Sequence, residues 1–149
     1  MANIIDAICT IINRDNHRLV NYTSSGRITN RMNAAGKPLE EYVNNAFADT
    51  FDVVDPNERM RRLSDVFSYI GNDSNPPDAI LRGGDAIEVK KVNGTSTIQL
   101  NSSAPKSKLS ADSTMISQAC RNCEDWTEKD IIYIVGQVKD QAVQSLCMV

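Results

Sequence analysis

Apolar positions near the start of the chain recur at helical spacing. In residues 2 to 13, Ile4, Ile5, Ala7, Ile8, Ile11 and Ile12 fall three and four apart, with Cys9 among them as a small apolar side chain. That spacing predicts a helix packed on a neighbour. The polar run "NYTSSGRITN" predicts a loop. In "AGKPLEEYVNNAFADTF", Leu39, Tyr42, Val43, Ala46 and Phe47 lie at i, i+3, i+4, i+7 and i+8, one apolar stripe of a helix with Pro38 near its first position. At about 100° per residue Glu40 borders this stripe beside Phe47, whereas Glu41 points nearly away from it. Asp55-Pro56-Asn57-Glu58 has the order of a capping box and predicts a further helix through Met60, Leu63, Val66, Phe67 and Ile70, stopping at Gly71. "GNDSNPP" predicts a loop.

From Asp78 onward the period changes from helical to alternating. "DAIL", "DAIEVKKV" and "STIQL" are short, rich in isoleucine and valine, and separated by Gly83-Gly84 and Asn93-Gly94, which predicts strands joined by tight turns. "SSAPKSKLSADS" predicts a loop, "TMISQACRN" a short helix, and "DIIYIVGQV" a strand inside the sheet. The tail "DQAVQSLCMV" is assigned to a last helix. Helices before and after a run of strands give a mixed α/β layer structure, and no repeat or linker divides the 149 residues into two.

Composition narrows the class. Apolar residues make up 41% and charged residues 23%, which predicts a globular protein rather than a disordered chain. The longest apolar run is far shorter than the ~20 residues of a spanning helix. The amino terminus lacks the basic leader of a secretory signal, so a cytoplasmic location is expected. Net charge is −3, which argues against a non-specific nucleic-acid coat. It leaves room for carboxylates that hold metal ions. Cys9, Cys120, Cys123 and Cys147 are scattered; "CRNC" has no second ligand pair, and the single histidine, His17, is distant in sequence.

The alternation of a strand places Ala86, Glu88 and Lys90 on one face and Asp85, Ile87 and Val89 on the other. The Gly83-Gly84 turn folds the preceding strand back, so that Asp78 approaches Glu88. Two carboxylates and an ammonium converge, a set suited to phosphodiester hydrolysis. Asp78 and Glu88 offer hard oxygen ligands to Mg²⁺, Lys90 orients water and offsets growing negative charge, and Glu40 adds a carboxylate from the helix. The competing reading of Glu88 and Lys90 is a surface ion pair on an edge strand.

Pro77-Asp78 with Glu88-Val89-Lys90 resembles the PD-(D/E)xK nuclease signature. With "NRMNAAGKPLEEYVNNAFA", "PDAILRGGDAIEVKK", "LNSSAPKSKLSADSTMIS" and "CRNCEDWTEKDIIYIVGQV", the text over roughly residues 30 to 138 resembles the NgoPII-type family of type II restriction endonucleases. The resemblance implies a restriction-endonuclease-like core with a central sheet flanked by helices, and a Mg²⁺-dependent homodimer cutting double-stranded DNA at a short palindrome, GGCC. Asp78 and Glu88 match its metal ligands, Lys90 its catalytic lysine and Glu40 a helix acid. Family members extend further beyond the strand near Val138, so residues 1–149 are expected to form a single nuclease core, shortened or truncated relative to them. Asn101, Ser103, Lys106 and Lys108 are candidate DNA contacts, with solvation of a polar loop as the alternative. Arg59, Arg61 and Arg62 read as a solvated basic face. A structure-specific or repair nuclease, and an inactive adaptor keeping the fold, remain the rival functions.

Overall fold

The computed structural model describes residues 2–19, 37–72, 74–92 and 106–149. Helix α1 (Ile4–Ile12) starts at Asn3, whose side chain accepts from the backbone of Ile5 and Asp6 while Asp6 returns a bond to the Asn3 N–H, a capping box. It packs beside α2 (Lys37–Ala48). All five residues of the predicted α2 stripe are buried. Glu40 and Glu41 are both half-buried.

Helix α3 (Pro56–Val66) begins on the Asp55 cap, which accepts from Asn57 N–H at 3.0 Å. The reciprocal half of the expected box is absent, because Glu58 instead binds Arg61 and Arg62 at 2.8 Å. Those two hydrogen bonds hold the Glu58 carboxyl down at about 2. The basic cluster is thereby largely matched by its own helix, and Arg59 reaches inward to Asn45 Oδ1 at 2.9 Å.

The helix ends at Val66, not near Ile70. Phe67 is already extended, at φ −109° and ψ 134°, and opens strand β1 (Phe67–Asn72). Strand pairing outweighs local helical spacing here: Phe67, Tyr69 and Ile70 each face a partner on β2 (Asn75–Leu81). The predicted loop before Asp78 is likewise mostly strand, with Asn75, a cis Pro76-Pro77 bond and Asp78 all inside β2. Gly71 lies against it so closely that a Cβ there would sit 2.5 Å from the Pro77 carbonyl oxygen.

Strand β3 (Ala86–Val92) pairs antiparallel with β2 and parallel with β5 (Glu128–Lys139). The order is β1-β2-β3-β5-β4, with β4 (Lys108–Ser110) and β6 (Ala142–Met148) both antiparallel to β5. The tail predicted as a helix is therefore a strand; its backbone groups are satisfied by β5 rather than internally. Helix α4 is one turn, Gln118–Arg121, capped by Ser117, shorter than expected from "TMISQACRN". The predicted strand "STIQL", its Asn93-Gly94 turn and the loop "NYTSSGRITN" lie outside the described residues.

Two apolar clusters lie against this mixed sheet. One joins Val43, Ala46 and Phe47 of α2 to Ala79, Leu81, Ile87 and Ile134. The other joins Ile80 and Ala86 to Leu109, Ile116 and Cys120. Alternation along β2 and β3 is thus read directly by the core: Ile87 faces the first cluster and Ala86 the second. Among the described residues no helix is long and apolar enough to cross a membrane.

Candidate active site

The hairpin β2–β3 turns at Gly83, whose φ of 66° suits glycine. Leu81 N–H donates to Asp85 O at 2.9 Å, closing the turn. Beyond it the two strands share only two paired positions, Ala79 with Ile87 and Ile80 with Ala86. Continuing this register one step sets Asp78 opposite Glu88. At that step Asp78 Oδ2 accepts the Val89 N–H at 2.6 Å. A backbone N–H of a strand points along the sheet, so the carboxylate lies in the gap between β2 and β3, within reach of charges from both layers.

Glu88 follows Ala86 on the face of the second cluster, and Lys90 follows Glu88. Lys90 Nζ donates to Glu88 Oε1 at 2.6 Å, and the two side chains are only 17% and 14% exposed. This is no solvated edge pair: β3 has a neighbour on either side. Burial, first, and then the charges of Glu88 and Glu40 push the Asp78 carboxyl up to about 7, against the Val89 N–H bond and Lys90, which pull it down. Glu40, in the first turn of α2, thus acts on Asp78 from the helix layer. The structure brings Asp78, Glu88, Lys90 and the charge of Glu40 together.

The donor chemistry suits a hard divalent cation. Asp78 and Glu88 provide two carboxylates, and a positive ion beside them would offset the burial and the neighbouring negative charge that together keep Asp78 partly protonated near neutrality. Among the described residues no group of three or more His, Cys, Asp or Glu forms a ready-made metal cluster. The effect of Glu40 on Asp78 is one of charge, and a cation held by the two carboxylates would keep water in its remaining positions.

The candidate DNA contacts are less gathered. Asn101 and Ser103 lie outside the described residues. Lys106 is exposed, and its backbone N–H donates to Tyr133 Oη at 3.3 Å. Lys108 pairs with Glu128 at 2.5 Å across β4 and β5. Tyr133 was not singled out by the sequence. It is the register partner of Glu88 in the parallel β3–β5 ladder and so stands beside it on the same face. The alternation in "DIIYIVGQV" carried that signal, hidden by the apolar character of the whole run.

His17 lies away from this site, with Nδ1 2.7 Å from Tyr42 Oη. Cys120 is buried in the second cluster, and burial is the chief cause pushing its thiol up to about 11.

A mixed sheet flanked by helices, carrying two acids and a lysine on its central hairpin, defines the restriction-endonuclease-like class of α/β domain. Within that class, the NgoPII restriction endonuclease family matches residues 2–149, and the chain belongs to that family. The chain is 52% identical over 149 residues to the Type II restriction enzyme NgoPII of Neisseria gonorrhoeae, a match covering 99% of this chain and 52% of that enzyme. It thus spans about half the length of the curated relative it matches. No solved structure matches the chain.

Proposed function

We propose that residues 1–149 form a single nuclease core domain of a type II restriction endonuclease, acting with Mg²⁺ on phosphodiester bonds of double-stranded DNA at a short palindrome, with GGCC the expected site. The observation that carries this reading is the Asp78 carboxyl, held at about 7 in the strand gap by burial and by Glu88 and Glu40, with Lys90 alongside. An acid held at that cost in folding energy points to a site shaped for a cation.

In this reading Asp78 and Glu88 hold Mg²⁺, which supplies a Lewis acid for the phosphate oxygen and a water of lowered pKa. Lys90 leaves its ion pair with Glu88, orients the attacking water and offsets the charge that grows on the phosphoryl oxygens. Glu40 strengthens the negative potential that draws the cation in. Lys106, Lys108, Asn101 and Ser103 contact DNA backbone or bases. A palindromic target calls for a two-fold homodimer, and the setting is cytoplasmic.

The test is digestion of plasmid DNA with the purified chain and Mg²⁺. Discrete fragments that disappear in Glu88→Ala and Lys90→Ala, both still folded, are expected. Random nicking would move the assignment to a structure-specific or repair nuclease. A folded protein that leaves DNA intact whichever divalent ion is supplied would be a non-catalytic adaptor.

A further inference from the structure

We propose that Glu124 and Lys129 are positioning residues, a half-buried charge clamp that sets the β2–β3 hairpin for cation binding; this rests on the reading of Asp78 and Glu88 as metal ligands. Lys129 is the second residue of β5, with its side chain only 7% exposed. Its Nζ donates to Gly84 O at 2.7 Å, pairs with Glu124 Oε1, and lies 5.8 Å from the centre of the Trp126 ring. The other oxygen of Glu124 accepts Gly83 N–H at 3.1 Å, and the Ser68 hydroxyl also binds this carboxylate. Both polar groups that the turn presents on this side, the Gly83 N–H and the Gly84 carbonyl, are therefore held by one ion pair from another part of the chain.

The placement of that pair gives it consequence. The β2–β3 ladder has two paired positions, and its next step is taken by the Asp78 carboxylate instead of a backbone carbonyl. So short a ladder fixes Asp78 against Glu88 weakly, and the turn carries much of the constraint. By tying the turn to the strand whose register also sets Glu88 beside Tyr133, the clamp makes the spacing of the two acids a property of three strands rather than one hairpin. Partners one shell removed from a metal commonly change its affinity by 10-fold to 100-fold, roughly, through such orientation.

The test uses the 149-residue chain and Mn²⁺ as probe, with binding read by electron paramagnetic resonance well below the melting temperature. Glu124→Gln/Lys129→Met removes both charges together, leaving neither buried without its partner. Its Mn²⁺ affinity is expected to fall about tenfold. Glu124→Asp keeps both charges but shortens the reach to Gly83 N–H and is expected to lose less; it also serves should the double variant fail to fold. A lower melting temperature with unchanged Mn²⁺ affinity would mean a structural role only and overturn the proposal. Asp78→Asn and Glu88→Gln guard the underlying reading. Wild-type protein that binds no Mn²⁺, or binds it equally in those two variants, overturns the metal site and the clamp with it. Binding lost in them but intact in the clamp variants overturns the clamp alone.

Discussion

The Asp78 carboxylate accepts the Val89 backbone N–H at 2.6 Å, filling the position in the β2–β3 ladder that a main-chain carbonyl would otherwise take. This bond favours the ionised form, yet burial and the neighbouring acids win, and the group sits at about 7 instead of 3.8. The folded state therefore holds more protons than the unfolded chain between about pH 4 and pH 7, and stability falls as pH rises through that window. The cost levels off above the folded value, at a ceiling on the order of 4 kcal/mol. Asp78→Asn keeps an acceptor for Val89 and removes the charge. It is expected to stabilise the cation-free protein by about 2 kcal/mol at pH 8 and by little at pH 4, measured by denaturant unfolding at both.

Cation affinity should follow the same group in the opposite sense. Protons compete with the metal for Asp78, so Mn²⁺ affinity is expected to rise about tenfold per pH unit up to about 7 and then flatten. Titration of the folded protein over roughly pH 5.5 to 8.5, a window spanning that value, reads this directly. A pH-independent affinity would remove Asp78 from the ligand set.

Lys90→Met separates holding the cation from using it. Losing the ammonium frees Glu88 and deepens the negative potential, so Mn²⁺ binding should be kept or strengthened. DNA cleavage should drop by about 10² to 10³. Loss of binding together with cleavage would make Lys90 a structural partner of Glu88.

Two glycines test the packing around the hairpin. A Cβ at Gly71 would meet the Pro77 carbonyl at 2.5 Å, and one at Gly136 would meet Leu39 side-chain carbons at 2.7 and 2.9 Å. Gly71→Ala presses on backbone next to Asp78 and is expected to cost about 3 kcal/mol; Gly136→Ala presses on a side chain able to shift and should cost about 1 to 2 kcal/mol. Chemical denaturation orders the two.

What was readable in the sequence depended on whether local pattern and long-range pairing agreed. They agree in α2, whose five-residue stripe is buried as spaced, and in the β2–β3 hairpin, where Gly83-Gly84 and the alternation after Asp85 place Glu88 and Lys90 together. They conflict at Phe67 and Ile70, which continue the helical spacing of α3 but pair with β2. They conflict again in "AVQSLCM", where β5 supplies the partner that makes a strand. The Glu124–Lys129 pair left no trace at all: two charges five positions apart match neither helical nor strand period, and only the fold shows that both turn toward Gly83 and Gly84.

The seven-rung parallel ladder between Ala86–Val92 and Ile131–Gln137 has a last consequence. A slip of one residue would drive Glu88 and Lys90 against the apolar side chains of α2 and take Ile87 and Val89 out of the first cluster to the opposite face of the sheet. Such a state gains nothing and loses both the apolar contacts and the approach of Glu88 to Asp78. Misaligned molecules should consequently be rare, because burial on both faces of the sheet selects one alignment of its strands.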